Sequence, residues 1–167
     1  LLALAVTNYF IDSYDSMLNS QLSTILEVSS ASFQNTVDEI ENSSMEFMAD
    51  DNMQQMIKTF TDDDKYSYED FVASNELRNY LLNLVNDQTG AKFAALLNND
   101  GNVMVSVMGL NPAWTDEMSA EVKRNMSDGV RYKWIAPSGA LTDLVAVRQI
   151  VDLSNPELLP EGMLVIG

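Results

Sequence analysis

The sequence predicts an α+β domain in which a long N-terminal helix and shorter helices pack on a five-stranded antiparallel sheet. Three observations carry this. Between Tyr9 and Ala49 there is neither Gly nor Pro, and apolar residues recur at helical spacing. After Gly90 the period shortens to that of strands. Strand and helix patterns never alternate for long, which argues against a parallel α/β sheet. Residues 1–90 are read as the helical part and 91–167 as the sheet with one inserted helix, together forming one domain.

The first helix carries Ile11, Tyr14, Leu18, Leu22, Ile25, Phe33, Val37, Ile40 and Phe47 as one apolar stripe, interrupted by Ser29 and Ser44. About 40 residues of helix would extend roughly 60 Å, more than a small domain needs, so a stalk is expected as well as a packing element. Asp50 or Asp51 suits the N-cap of a short helix reaching Phe60. The run "TDDDK" then reads as a solvated loop, since adjacent carboxylates do not converge on one cation. A second helix from Tyr68 to about Asn86 turns Phe71, Leu77, Leu81, Leu84 and Val85 to the core and ends near Gly90.

The strands follow. In "LLNNDGNVMVSV" an Asp-Gly turn joins two apolar runs, a strong hairpin signal. Asn111 as cap, Pro112 in the first turn and Gly129 as terminator delimit a helix of about 14 residues. "VRYKWIAP", "LVAVRQIVDL" and "GMLVIG" supply three more strands.

Composition narrows the function. The chain has no Cys and no His, which removes thiolate nucleophiles, most zinc sites and Ser-His-Asp catalysis. A carboxylate-only hydrolase needs two facing acids, one in an apolar setting, and none stands out. No catalytic set, cofactor motif or metal site is expected; "NNDGN" lacks the EF-hand register. With 25 acidic residues against 9 basic ones, the net charge of −16 disfavours nucleic acids. Residues 1–57 hold nine carboxylates and no Lys or Arg, as the positive-inside rule expects of an extracytoplasmic segment. The opening "LLALAVTNYFI" is too short to span a bilayer and is read as the outer end of a truncated transmembrane helix.

The order of these elements, the hairpin "LLNNDGNVMVSV", Trp134, "VRQIVDL" and "GMLVIG" resemble the Cache family of extracytoplasmic sensor domains. In particular they resemble the ectodomains of YesM-type sensor histidine kinases. The resemblance spans nearly the whole chain and implies a single PAS-like module between two membrane helices, non-catalytic itself, in a bacterial two-component receptor that dimerises. The alternatives are a ligand-free structural or dimerisation ectodomain, one that docks to a solute-binding protein, or the ectodomain of a chemoreceptor or cyclase. The family's amino-acid-binding signature "Y-x-x-x-x-R-x-W-Y" is missing, so amino-acid sensing is not specifically implied.

Arg148 sits in the middle of an apolar strand, on the face of Leu144, Ala146 and Ile150. A charge there needs a partner. Either a carboxylate from a helix pairs with it, or it anchors a ligand's carboxylate or hydroxyls, which guanidinium geometry suits. Tyr132 and Trp134 share a face of the preceding strand and suit a sugar ring or an apolar side chain, although such a pair is more often core. Trp114 and Ser106 complete the candidate set for a small sugar, organic acid or amino acid. Arg131 and Lys133 point the other way, toward solvent.

Overall fold

The computed structural model describes residues 2–61, 67–87, 90–107, 114–126 and 129–167. Helix α1 runs from Leu2 to Ala49, α2 from Asp51 to Thr61, α3 from Tyr68 to Asp87 and α4 from Asp116 to Asn125. The strands are β1 (Ala94–Leu97), β2 (Val103–Val107), β3 (Tyr132–Ile135), β4 (Val145–Val151) and β5 (Pro160–Ile166). They form one sheet in the order β2-β1-β5-β4-β3 with every pairing antiparallel, so the α+β class and the five strands are as the sequence predicts. The chain divides into two compact units, Leu1–Asp38 and Glu39–Gly167, and the division falls inside α1.

The first unit is helix alone. Its apolar stripe is exposed at Tyr14, Leu18, Leu22, Ile25 and Phe33, so these residues do not supply the core that the spacing suggests. The side chain of Ile11 lies outside the described residues. The stripe meets the core only in the second unit, where Ile40 and Phe47 are buried.

In the second unit the end of α1, α2 and α3 cover one face of the sheet. Ile40, Phe47, Ile57, Leu77, Leu81 and Leu84 pack there against Leu96, Ala146, Ile150, Leu164 and Ile166. Helix α4 covers the other face, where Met118, Val122 and Met126 meet Ala95, Leu97, Val145, Val147 and Val165. Strand β4 therefore sends alternate residues into two cores, which is why it reads as an unbroken apolar run.

Local chemistry sets the element ends. Asp50 is the cap of α2, its Oδ1 accepting from the amides of Asn52 (2.8 Å) and Met53 (3.1 Å). Ser67 and Asp70 form a reciprocal cap at the start of α3: the Ser67 hydroxyl accepts from the Asp70 amide and the Asp70 carboxylate from the Ser67 amide. Phe71, expected in the core, is 66% exposed; Ala73 takes the buried position instead, with Leu77, Leu81, Leu84 and Val85. The stripe rotates by about 100° per residue, so two residues separate a core position from a surface one.

Helix α4 is shorter than predicted. Thr115 caps it, its hydroxyl accepting from the Met118 amide. Asn111 and Pro112, Gln88 and Thr89, and most of "TDDDK" lie outside the described residues. In the β1–β2 hairpin, Gly101 adopts φ +85°, a conformation open to few other residues. Gly162 in β5 has a different reason: any Cβ there would run into the carbonyl of Leu97.

Candidate functional site

Arg148 lies on β4, directly opposite Tyr132 of β3 in the ladder. That register stacks the two side chains: the guanidinium carbon sits 4.4 Å from the centre of the Tyr132 ring. The side chain is 6% exposed and reaches the end of α1. Its Nε donates to Ser44 Oγ at 2.8 Å and its Nη2 to the Glu41 carbonyl at 3.3 Å. Ser44 in turn donates to the same Glu41 carbonyl at 2.8 Å. The hydroxyl thus passes the charge's polarisation on to the helix backbone.

No carboxylate oxygen lies within ion-pairing distance of Arg148 among the described residues. The helix-borne acid anticipated for it is replaced by a hydroxyl, a carbonyl and an aromatic face. Burial pushes the guanidinium pKa down, while Tyr132 and the more distant Glu41 carboxylate pull it up. An arginine remains charged through such a shift. Burial, reinforced by Glu41, raises the Tyr132 phenol to about 12, with Arg148 opposing. The phenol is a neutral donor at any physiological pH.

Trp134 extends the cluster along β3. Its ring stands edge-on to that of Tyr132 at 6.5 Å, and its ladder partner is the small Ala146. Among the described residues neither Tyr132 Oη nor Trp134 Nε1, both buried, makes a hydrogen bond of good geometry, although Trp134 lies near enough to the phenol to oppose the rise in its pKa. Each such atom leaves about 1–3 kcal/mol of desolvation uncompensated. A guanidinium and two donors are thereby gathered on one face, a set suited to carboxylate or hydroxyl oxygens.

The other two candidates lie across the sheet. Trp114 packs edge-on to Phe93 at 6.2 Å beside the α4-side core. Its Nε1 donates to Ser119 Oγ at 2.7 Å, and Ser119 donates to the Gly101 carbonyl at 2.7 Å. Its polar atom therefore ties α4 to the hairpin. Ser106 is opposite Ala95 in the ladder, which puts it on the α4 face as well. Arg148, Tyr132 and Trp134 are brought together; Trp114 and Ser106 are not. Arg131 and Lys133 are exposed, as predicted.

Ser44 and Glu41 were not singled out as site residues. A signal for Ser44 existed, because it breaks an apolar stripe at a position that proves 1% exposed. The pairing of Lys58 with Asp152 had none, since the two are far apart in sequence. Lys58 Nζ contacts Asp152 Oδ1 at 2.6 Å and Ser154 Oγ at 2.8 Å beside a cavity of about 320 Å³ that Asp51, Gln54 and Gln55 also line. Among the described residues no group of three or more metal-ligating side chains is assembled.

The bond from Lys58, helped by Ser154, holds the Asp152 carboxyl down at about 2. A carboxylate depressed in the fold contributes in full above its unfolded value of about 3.9 and loses that contribution as pH falls toward 2. Asp152→Asn is therefore expected to lower the urea midpoint at pH 6 and to converge with wild type near pH 2. Glu161, raised mainly by burial, acts in the opposite sense in both proteins, and only the smaller part of its rise that comes from Asp152 is lost in the variant. A gap that stays constant from pH 6 to pH 2 would rule out the assigned pairing.

No protein-family model matches the chain, and no curated protein matches it. Among the described residues no helix is long and apolar enough to cross a membrane.

Proposed function

We propose that this chain is the extracytoplasmic ligand-sensing part of a bacterial membrane receptor of the sensor histidine kinase kind, non-catalytic itself and of the Cache, PAS-like type. The observation that supports this most is the Arg148 cluster. A charged side chain of the sheet is held to the end of α1 by one hydroxyl and one carbonyl, beside two buried donors that make no well-formed hydrogen bond among the described residues. A small organic acid, sugar or amino acid offering oxygens to Arg148, Tyr132 and Trp134 would compete with Ser44 and Glu41. Ligand binding would then favour a different seating of α1 on the sheet, by as much as the ligand prefers that state. The shift passes along α1 toward a flanking membrane helix.

The test is a thermal-shift screen of small metabolites on the wild-type chain, followed by Arg148→Ala and Trp134→Ala. A ligand at 100 times its Kd adds about 2.7 kcal/mol of stability. Both substitutions are expected to abolish the shift, and retention of binding in both would eliminate the Arg148 cluster as the binding site.

A second reading has its own support in the apolar stripe of α1 between Tyr14 and Phe33, which is exposed. Here the domain holds no small ligand and serves to dimerise the receptor through that stripe. A failure of every metabolite to shift the melting temperature, with a concentration-dependent dimer in sedimentation, favours it.

A further inference from the structure

Helices α2 and α3 flank an open groove of about 570 Å³ that neither the Arg148 cluster nor the α1 stripe uses. Its apolar lining is Met56 from α2 with Val72 and Ala73 from α3, and Tyr68, 81% exposed, adds an aromatic side chain at the start of α3. Phe71, one residue before Val72, is exposed as well, though it does not line the groove. Exposed aromatics beside a groove with an apolar floor and polar walls mark a binding surface more often than single exposed residues do.

Among the described residues the charge in the groove's lining is of one sign. Glu69 and Glu76, both exposed, come from α3, while Asn52, Gln55 and Thr59 of α2 are uncharged. The two carboxylates are seven residues apart on one helix, about two turns or 10.5 Å.

The geometry points to a docking site for an amphipathic helix of another protein, one with a narrow apolar stripe flanked by two Lys or Arg residues two turns apart. The stripe would lie on the half-buried Met56 and Val72, with the buried Ala73 at the groove floor, in the helix-in-groove mode. The two cations would meet Glu69 and Glu76. A second copy of this chain does not fit. The basic residues in its described helices are Lys58, Arg78, Lys123 and Arg124, no two of them seven apart. Its overall charge of −16 also opposes self-association at an acidic groove.

The test uses the whole chain and a labelled 15-residue helical peptide with Leu on one face and Lys at positions i and i+7. A second peptide carries Glu in place of both Lys. Fluorescence anisotropy is expected to show saturable binding of the basic peptide, at least tenfold tighter than the acidic one. Glu69→Lys with Glu76→Lys should weaken it at least tenfold. Glu27→Lys with Glu39→Lys, an equal change of charge on the exposed face of α1, should leave it within twofold. Equal weakening by both pairs would reduce the binding to general attraction by an acidic surface and overturn the site, as would the absence of saturation. A change of oligomeric state in Glu69→Lys/Glu76→Lys would make a second copy the occupant and overturn it as well.

Discussion

Replacing Ser44 by alanine is expected to destabilise the fold by about 2–3 kcal/mol, far more than loss of an ordinary serine hydroxyl, because the group left behind is a buried cation. Arg148 Nε would lose its 2.8 Å acceptor, leaving the guanidinium, among the described residues, with the 3.3 Å contact from Nη2 to the Glu41 carbonyl and the face of Tyr132. The decisive measurement is a double-mutant cycle with Arg148→Met. Methionine retains much of the side chain's length and removes the charge, so Arg148→Met alone should be milder than Ser44→Ala. The double variant should be no worse than Ser44→Ala and could recover part of its loss, since replacing a buried charge by an apolar chain is often neutral or stabilising. Strictly additive effects in urea unfolding would mean that the two residues do not act as a unit, and the latch between β4 and α1 would have to be abandoned. The sensing proposal needs one more result: the double variant, stable and folded, should no longer respond to any metabolite that shifts the wild type.

Two phenylalanines of one helix should behave oppositely. Phe47 is fully buried, tilted against Tyr80 at a ring separation of 5.1 Å, and Phe47→Ala should remove about 3–5 kcal/mol through lost burial and the cavity left behind. Phe33 is 57% exposed, and Phe33→Ala should alter unfolding of the monomer by less than about 0.5 kcal/mol. If α1 dimerises the chain through its stripe, Phe33→Ala should instead raise the dimer dissociation constant. Urea titration at low protein concentration, paired with sedimentation across a concentration series, separates the two effects. Comparable losses of monomer stability from both substitutions would contradict the burial that distinguishes them.

The sequence by itself determined the elements. Absence of Gly and Pro over a long stretch, with apolar residues at helical spacing, is a local property and specified α1 without reference to its surroundings. The Asp100-Gly101 turn likewise encoded its hairpin, and the apolar run around Arg148 marked β4 as a strand. Local chemistry also implied the Asp50 cap, because the acceptor and its amides are neighbours along the chain.

What only the tertiary structure decided is which faces meet. Tyr14 to Phe33 and Ile40 to Phe47 carry the same spacing, yet only the latter are buried, because periodicity states that a face is apolar and not that anything lies against it. The same limit placed Phe71 outside and Ala73 inside. Arg148 shows it most sharply. Its strand and its face followed from alternation, but its partners are a serine and a backbone carbonyl about a hundred residues earlier, where charge counting pointed to an acid. A carbonyl carries no sequence signature, since every residue has one. Trp114 and Ser106 were separated from Arg148 by the sheet itself, and which side a residue occupies across five strands depends on registers set by every pairing between them.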